Sequence, residues 1–235
     1  MVTIKDVARV AEVSIATVSR VLSGSRADVA IKEETRQRVV EAARKVGYAP
    51  NPFYQWISAR KTNTVGAVLT MGADVYYARM LQAAEAALKK SGYSVMFSSS
   101  QDIPELETEC LDEFLKRKVD GILLTPCQPM TAGLSRVIER KVPMVFISRY
   151  IRGIEAPSVS SNNRKGAYRL IRHMIELGHR TFAFIGGNPD LSTVANRRLG
   201  YLDALREAGF GEENAVVFDG DYTRNCGYEN AKKLF

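Results

Sequence analysis

From Val65 onward, short β-rich runs alternate with amphipathic helical stretches, and this alternation constrains the fold more than any other feature of the chain. The runs VGAVLT, SVMFSS, GILLT and MVFIS are separated by helical patterns near Tyr77 to Ser91 and Pro104 to Arg117, and by a shorter one before MVFIS. A second set follows: a helix around Arg164 to Leu177, FAFIGG, a helix near Val194 to Ala208, AVVFDG, and a final helix begun at about Asn225. Such repetition predicts parallel sheets with helices on both faces, here in two lobes. In open sheets of this kind ligands bind beyond the carboxyl ends of the strands, which places a candidate site between the lobes.

The chain opens on a different pattern. TIKDVARVAEVSIATVSRVLSG, Thr3 to Gly24, reads as two short helices around a tight turn. Thr3 can cap the first helix in a capping-box arrangement with Asp6, and Ser14 can cap the second. Ile4, Val7, Ala8 and Ala11 form one apolar stripe and Val18, Val21 and Leu22 another, with Val13 plugging the turn. Ile15, Ala16, Thr17, Ser19 and Arg20 remain outward near the start of the second helix. Arg20 can bond a guanine edge bidentately, Ile15 and Ala16 can touch a thymine methyl, and the hydroxyls with the helix N-terminus suit phosphate oxygens. Spacing alone leaves open a small helical hairpin with a solvated face.

This stretch, followed by EETRQRVVEAARKVGYAPN, resembles the N-terminal headpiece of the lactose-repressor (LacI/GalR) family of bacterial transcription regulators. The resemblance implies an all-α helix-turn-helix headpiece joined to an α/β sensor of the periplasmic-binding-protein type. It places Ile15, Ala16 and Arg20 at base-contacting positions and Thr17 and Ser19 among backbone-contacting ones. Thr3, Ser14 and Asn51 complete the headpiece set. Glu12 stands where a glycine is frequent, and Lys32 where the third helix, about Glu33 to Val46, usually has a capping serine. Pro50 and Pro52 prevent that helix from running on. By resemblance the next segment is a hinge helix that pairs in the DNA minor groove and inserts a leucine. Ile57 occupies the leucine's position and can act as an apolar wedge. Tyr54 and Gln55 replace the usual Ala-Arg pair, and Trp56 is bulky. The alternative for this segment is a linker that is partly disordered before DNA is bound.

Charge supports a polyanion partner. Up to Val65 there are 11 Lys and Arg against 6 Asp and Glu, a net of +5, whereas the remaining 170 residues carry 22 against 20. Binding to DNA should therefore weaken with salt. With 46% apolar residues the chain can bury a substantial core. No apolar run reaches about 18 residues and no signal peptide opens the chain, which predicts a cytoplasmic protein without a membrane segment. Cys110, Cys127 and Cys226 lack metal-site spacing, and His173 and His179 have no carboxylate or cysteine cluster nearby, so no metal or cofactor is expected. His179 suits a helix C-terminus. The sequence lacks GxSxG, HExxH and kinase-like sets, and GGNPD has neither GxGxxG nor Walker spacing, so no enzyme is predicted and no catalytic residue is assigned. A pure solute-binding protein would need a secretory signal and have no use for the N-terminal helices.

Asp74, Tyr76 and Tyr77 after the first sensor strand, Arg149 and Tyr150 after MVFIS, and Thr193 and Arg197 in STVANRRLGY are the candidate effector contacts. The tyrosines can stack on a sugar or base ring, or pack in the core. Arg197 matches an arginine that family members use on the effector. The expected organisation is a headpiece at residues 1–50, a hinge at 51–62, an effector-binding N-terminal lobe at 63–161 and a partial C-terminal lobe at 162–235. Because the family continues beyond the position of KKLF, the chain is expected to be a fragment or a truncated regulator. The resemblance implies a homodimeric repressor on a near-palindromic operator, responding to a small molecule, most often a sugar or sugar derivative and in a minority of members a purine.

Overall fold

A computed structural model describes residues 2–23, 31–48, 61–70, 75–127 and 130–234, in two compact units, Met1–Thr62 and Asn63–Phe235. The proline-flanked segment with Asn51, Tyr54, Gln55, Trp56 and Ile57 lies outside the described residues, as does Asp74.

The first unit holds α1 (Ile4–Ala11), α2 (Ile15–Ser23) and α3 (Glu33–Val46). A capping box starts α1: the Thr3 amide and hydroxyl both donate to the Asp6 carboxylate, at 3.0 and 2.8 Å. The Ser14 hydroxyl accepts from the Thr17 amide at 3.1 Å and so caps α2. Between them Glu12 adopts left-handed backbone (φ 51°), the conformation a glycine takes without strain. Gly47 (φ 68°) closes α3, with the Tyr48 amide reaching back to Ala43 in a Schellman-type end. Val7, Val18 and Val39, each 0% exposed, meet at the centre with Ala8, Ala11, Ala42 and Ala43. Small side chains let three short helices approach closely around one valine cluster.

In the second unit, β1 (Thr64–Leu69), β2 (Ser94–Ser99), β3 (Gly121–Leu124), β4 (Met144–Ile147) and β5 (Ser158–Val159) form a parallel sheet in the order β2-β1-β3-β4-β5. The connections carry α4 (Val75–Lys90), α5 (Pro104–Lys116) and α6 (Ala132–Glu139). Central β1 is buried along almost its whole length, as a strand covered on both faces must be. Gly66 lies directly under the Phe114 ring, and any Cβ there would collide with it. Leu111, Phe114, Ile122, Leu124, Leu134 and Phe146 complete this core. The sequence reading did not anticipate β5, whose two residues are both exposed and leave no hydrophobic pattern.

The second lobe is built on a parallel pair, β6 (Phe182–Ile185) and β7 (Ala215–Phe218), with α7 (Asn163–Glu176), α8 (Ser192–Glu207) and α9 (Arg224–Lys232). A 3-10 turn at Glu212–Asn214 precedes β7. α7 and α8 pack tightly because Gly200 admits the Arg164 carbonyl and the Tyr168 amide. Tyr201, 1% exposed, places its hydroxyl 3.1 Å from the Phe182 carbonyl and 3.2 Å from that of Val216, tying α8 to both strands. Among the described residues no helix is long and apolar enough to cross a membrane.

Candidate functional site

Packing in the first unit leaves one face of α2 outward. Ile15, Ala16, Ser19 and Arg20 are exposed, Ile15 at 46%, while Val18 on the opposite side is fully buried. An isoleucine that could have been buried stands instead at the start of a helix beside small and cationic side chains. The Ser14 and Thr17 hydroxyls lie 2.9 Å apart and share one hydrogen bond at the start of α2, and Thr17 is half-buried. The Thr3 hydroxyl is likewise engaged, by Asp6. Hydrogen bonds from the Thr3 amide and hydroxyl, with Arg9 at 3.0 Å, hold the Asp6 carboxyl below its ordinary range. Ile15, Ala16, Ser19 and Arg20 thus have the outward geometry for bases and phosphates.

In the second unit, the carboxyl ends of β1, β3 and β4 and the start of α8 gather the other candidates. Tyr76 and Tyr77 open α4 as an edge-to-face pair with centroids 5.2 Å apart. Tyr77 is buried, and the half-exposed Tyr76 donates its hydroxyl to Ser148 Oγ at 3.4 Å. Arg149 is 5% exposed, with its guanidinium 2.6 Å from the Asp102 carboxylate. Burial opposes that charge, but the Asp102 hydrogen bond and the neighbouring Tyr77 and Tyr222 outweigh it and stabilise the guanidinium. Arg197 is exposed, donates from Nε to Asn163 Oδ1 at 2.8 Å and lies 3.3 Å from the Tyr222 hydroxyl. Thr193 is buried at the start of α8, and its neighbour Ser192 accepts the Tyr150 amide proton at 3.1 Å. Asn196 donates to the Tyr150 hydroxyl at 3.0 Å, so α8 is bonded across to the end of β4.

Several contributors were invisible in sequence. Asp102, Ser148, Asn163, Ser192, Asn196 and Tyr222 join only through the tertiary fold. Ser148 (φ 66°) and Tyr222 (φ 65°) both hold left-handed backbone, a strained conformation for residues with a Cβ. Thr70 and Thr125, each 0% exposed, directly follow β1 and β3, and neither hydroxyl has a hydrogen-bond partner among the described residues. A polar residue ending an apolar strand, as in VGAVLT and GILLT, is the signal that could have found them.

The two units thus comprise a helix-turn-helix reading head and an α/β sensor whose polar candidates gather at its strand ends. Residues 3–51 match the family described as bacterial regulatory proteins, lacI family, and residues 62–235 match the periplasmic binding proteins and sugar binding domain of the LacI family. The chain belongs to the LacI family and is a DNA-binding transcriptional regulator. It is 31% identical to catabolite control protein A of Priestia megaterium, over 99% of this chain and 70% of that protein. The Cra regulator of Pseudomonas putida, solved with fructose 1-phosphate, is similar at 25% identity and a TM-score of 0.67, over 73% of this chain and 63% of that one. A lac repressor dimer solved on operator DNA with the anti-inducer ONPF shares the fold, with a TM-score of 0.77 at 21% identity over 99% of this chain and 69% of that one.

Proposed function

We propose that this regulator, not an enzyme, acts in the cytoplasm as a homodimeric repressor on a near-palindromic operator and is controlled by a small molecule bound at the sensor cleft. Arg20, Ile15 and Ala16 read bases, while Ser14, Thr17, Ser19, Thr3 and Asn51 serve the backbone, and Ile57 is the minor-groove wedge. Residues 1–50 form the reading head, 51–62 the hinge, and 63–161 and 162–235 the parts of the sensor. One observation carries the effector reading: at the carboxyl ends of adjacent parallel strands stand two buried hydroxyls, those of Thr70 and Thr125, with no hydrogen-bond partner among the described residues. An orphaned buried hydroxyl costs roughly 1–3 kcal/mol, and the carboxyl ends of such strands are where ligands bind in sheets of this kind. Arg197, Tyr76 and Tyr77 supply a cation and ring faces for a sugar or sugar derivative, and Asp74, Arg149 and Thr193 complete the set. The fructose 1-phosphate of the similar Cra structure supports this ligand class.

The test is thermal unfolding of the whole chain with fructose 1-phosphate and a panel of free sugars, followed by DNA binding with and without any compound that stabilises it. A ligand at about 100 times its Kd adds roughly 2.7 kcal/mol of stability. Stabilisation together with a changed operator affinity supports the reading, and stabilisation that leaves DNA binding untouched contradicts it.

A further inference from the structure

We infer that Glu107 is a positioning residue for this cleft: its buried carboxyl holds both ends of the loop between β3 and α6, and so fixes where the strand-end hydroxyl of Thr125 stands. Glu107 lies in the first turn of α5 and is 0% exposed. One carboxyl oxygen accepts the Cys127 amide proton at 2.6 Å, and the other accepts the Thr131 hydroxyl proton at 2.7 Å. Cys127 stands two residues beyond Thr125, and Thr131 is the N-cap of α6, where its hydroxyl accepts from the Leu134 amide at 3.2 Å.

The bonding continues toward β1. The Cys127 thiol donates to Ser100 Oγ at 3.7 Å, and Ser100 in turn donates to the Leu69 carbonyl at 3.5 Å, next to Thr70. A single carboxyl therefore links α5, the end of β3 and the cap of α6, and through Cys127 and Ser100 reaches the end of β1. Both described partners of Glu107 are neutral donors, and burial, opposed by those two bonds, pushes its carboxyl above the ordinary range. Isolating a carboxyl from water without a described cation is unfavourable, so a purely packing role would be better filled by an apolar side chain. What the carboxyl supplies is two directed acceptors at fixed spacing.

The inference rests on the effector reading, but its test uses no effector, so either can fail alone. Cys127, 1% exposed, reports the loop. In the full chain with Cys110→Ser and Cys226→Ser, it is the remaining thiol, and Ellman's reagent measures its exposure under folding conditions. Glu107→Ala should speed labelling about tenfold or more by letting the loop open locally. Glu107→Gln should stay near the parent rate, because its amide oxygen accepts from Cys127 and its NH2 donates to the Thr131 hydroxyl. Thr131→Val, which removes one of the two Glu107 bonds together with the α6 cap, should also speed labelling. Leu111→Ala, a cavity in the same helix, should lower global stability with little change in labelling. Labelling of Glu107→Ala or Thr131→Val that equals the parent, or rises only in step with Leu111→Ala, would overturn the inference.

Discussion

Asp102→Asn withdraws the carboxylate that faces Arg149 at 2.6 Å, while keeping the side chain's size and its tolerance for the left-handed backbone (φ 62°) at residue 102. Arg149 is 5% exposed, so its guanidinium cannot recover the lost interaction from water. Removing one partner of a fully buried pair costs about 3–5 kcal/mol. The Asp102 side chain is 36% exposed and an Asn oxygen still accepts one bond, which together lower the expectation to about 2 kcal/mol. With an m-value of about 2 kcal/mol/M, the urea midpoint of the sensor transition should fall by roughly 1 M. Far-UV circular dichroism of the whole chain reads it. Arg149→Met in the Asp102→Asn background should restore most of the loss, because it removes the stranded charge. A drop below about 0.3 M for Asp102→Asn, or a double variant no better than the single, would refute the argument that the cost is a buried unpaired cation.

Arg20→Ala should cost about 1–3 kcal/mol in specific DNA binding and relax the preference at one base pair, as read by competition between operator variants. Arg197→Ala should leave operator affinity unchanged and abolish the response to whichever compound stabilises the parent chain, checked in one titration with and without that compound. Glu12→Gly relieves left-handed strain and should stabilise the first unit by about 0.5–1 kcal/mol in thermal unfolding. Lys32 makes no side-chain cap to α3, so Lys32→Ser should add a similar amount, about 0.5–1 kcal/mol.

Where local chemistry decides, the sequence was informative to the residue. The expected third helix ran from Glu33 to Val46, and the structure ends α3 there because Gly47 adopts φ 68°. The expected start at Pro104 reflects proline's fixed φ at the first helical position. Alternating periods likewise marked β1 to β4, β6 and β7. β5 escaped because it is two exposed residues recruited by pairing with Phe146 and Ile147, a tertiary event with no local trace. The cleft divides the same way. The tyrosines stood out as residue types after a strand and Arg197 through the family resemblance, whereas the burial of Arg149 against Asp102, 47 residues earlier, left no trace in the sequence. Tyr150 bonding to Ser192 and Asn196 joins segments about 40 residues apart, and only the fold sets that distance. On α2 the outward positions of Ile15, Ala16, Ser19 and Arg20 followed from spacing, since the valines that must be buried dictate which side remains, whereas Thr17, expected outward with them, is half-buried against Ser14.

The central claim is that two copies of α2 read a symmetric DNA site. Selection of bound sequences from a random DNA pool at physiological salt, using this chain and a scrambled-site control, tests it directly. The account predicts recovery of a near-palindrome with a central pyrimidine–purine step, where an apolar side chain can part the bases. Recovery of an asymmetric single site, or salt-sensitive binding without any consensus, would contradict it.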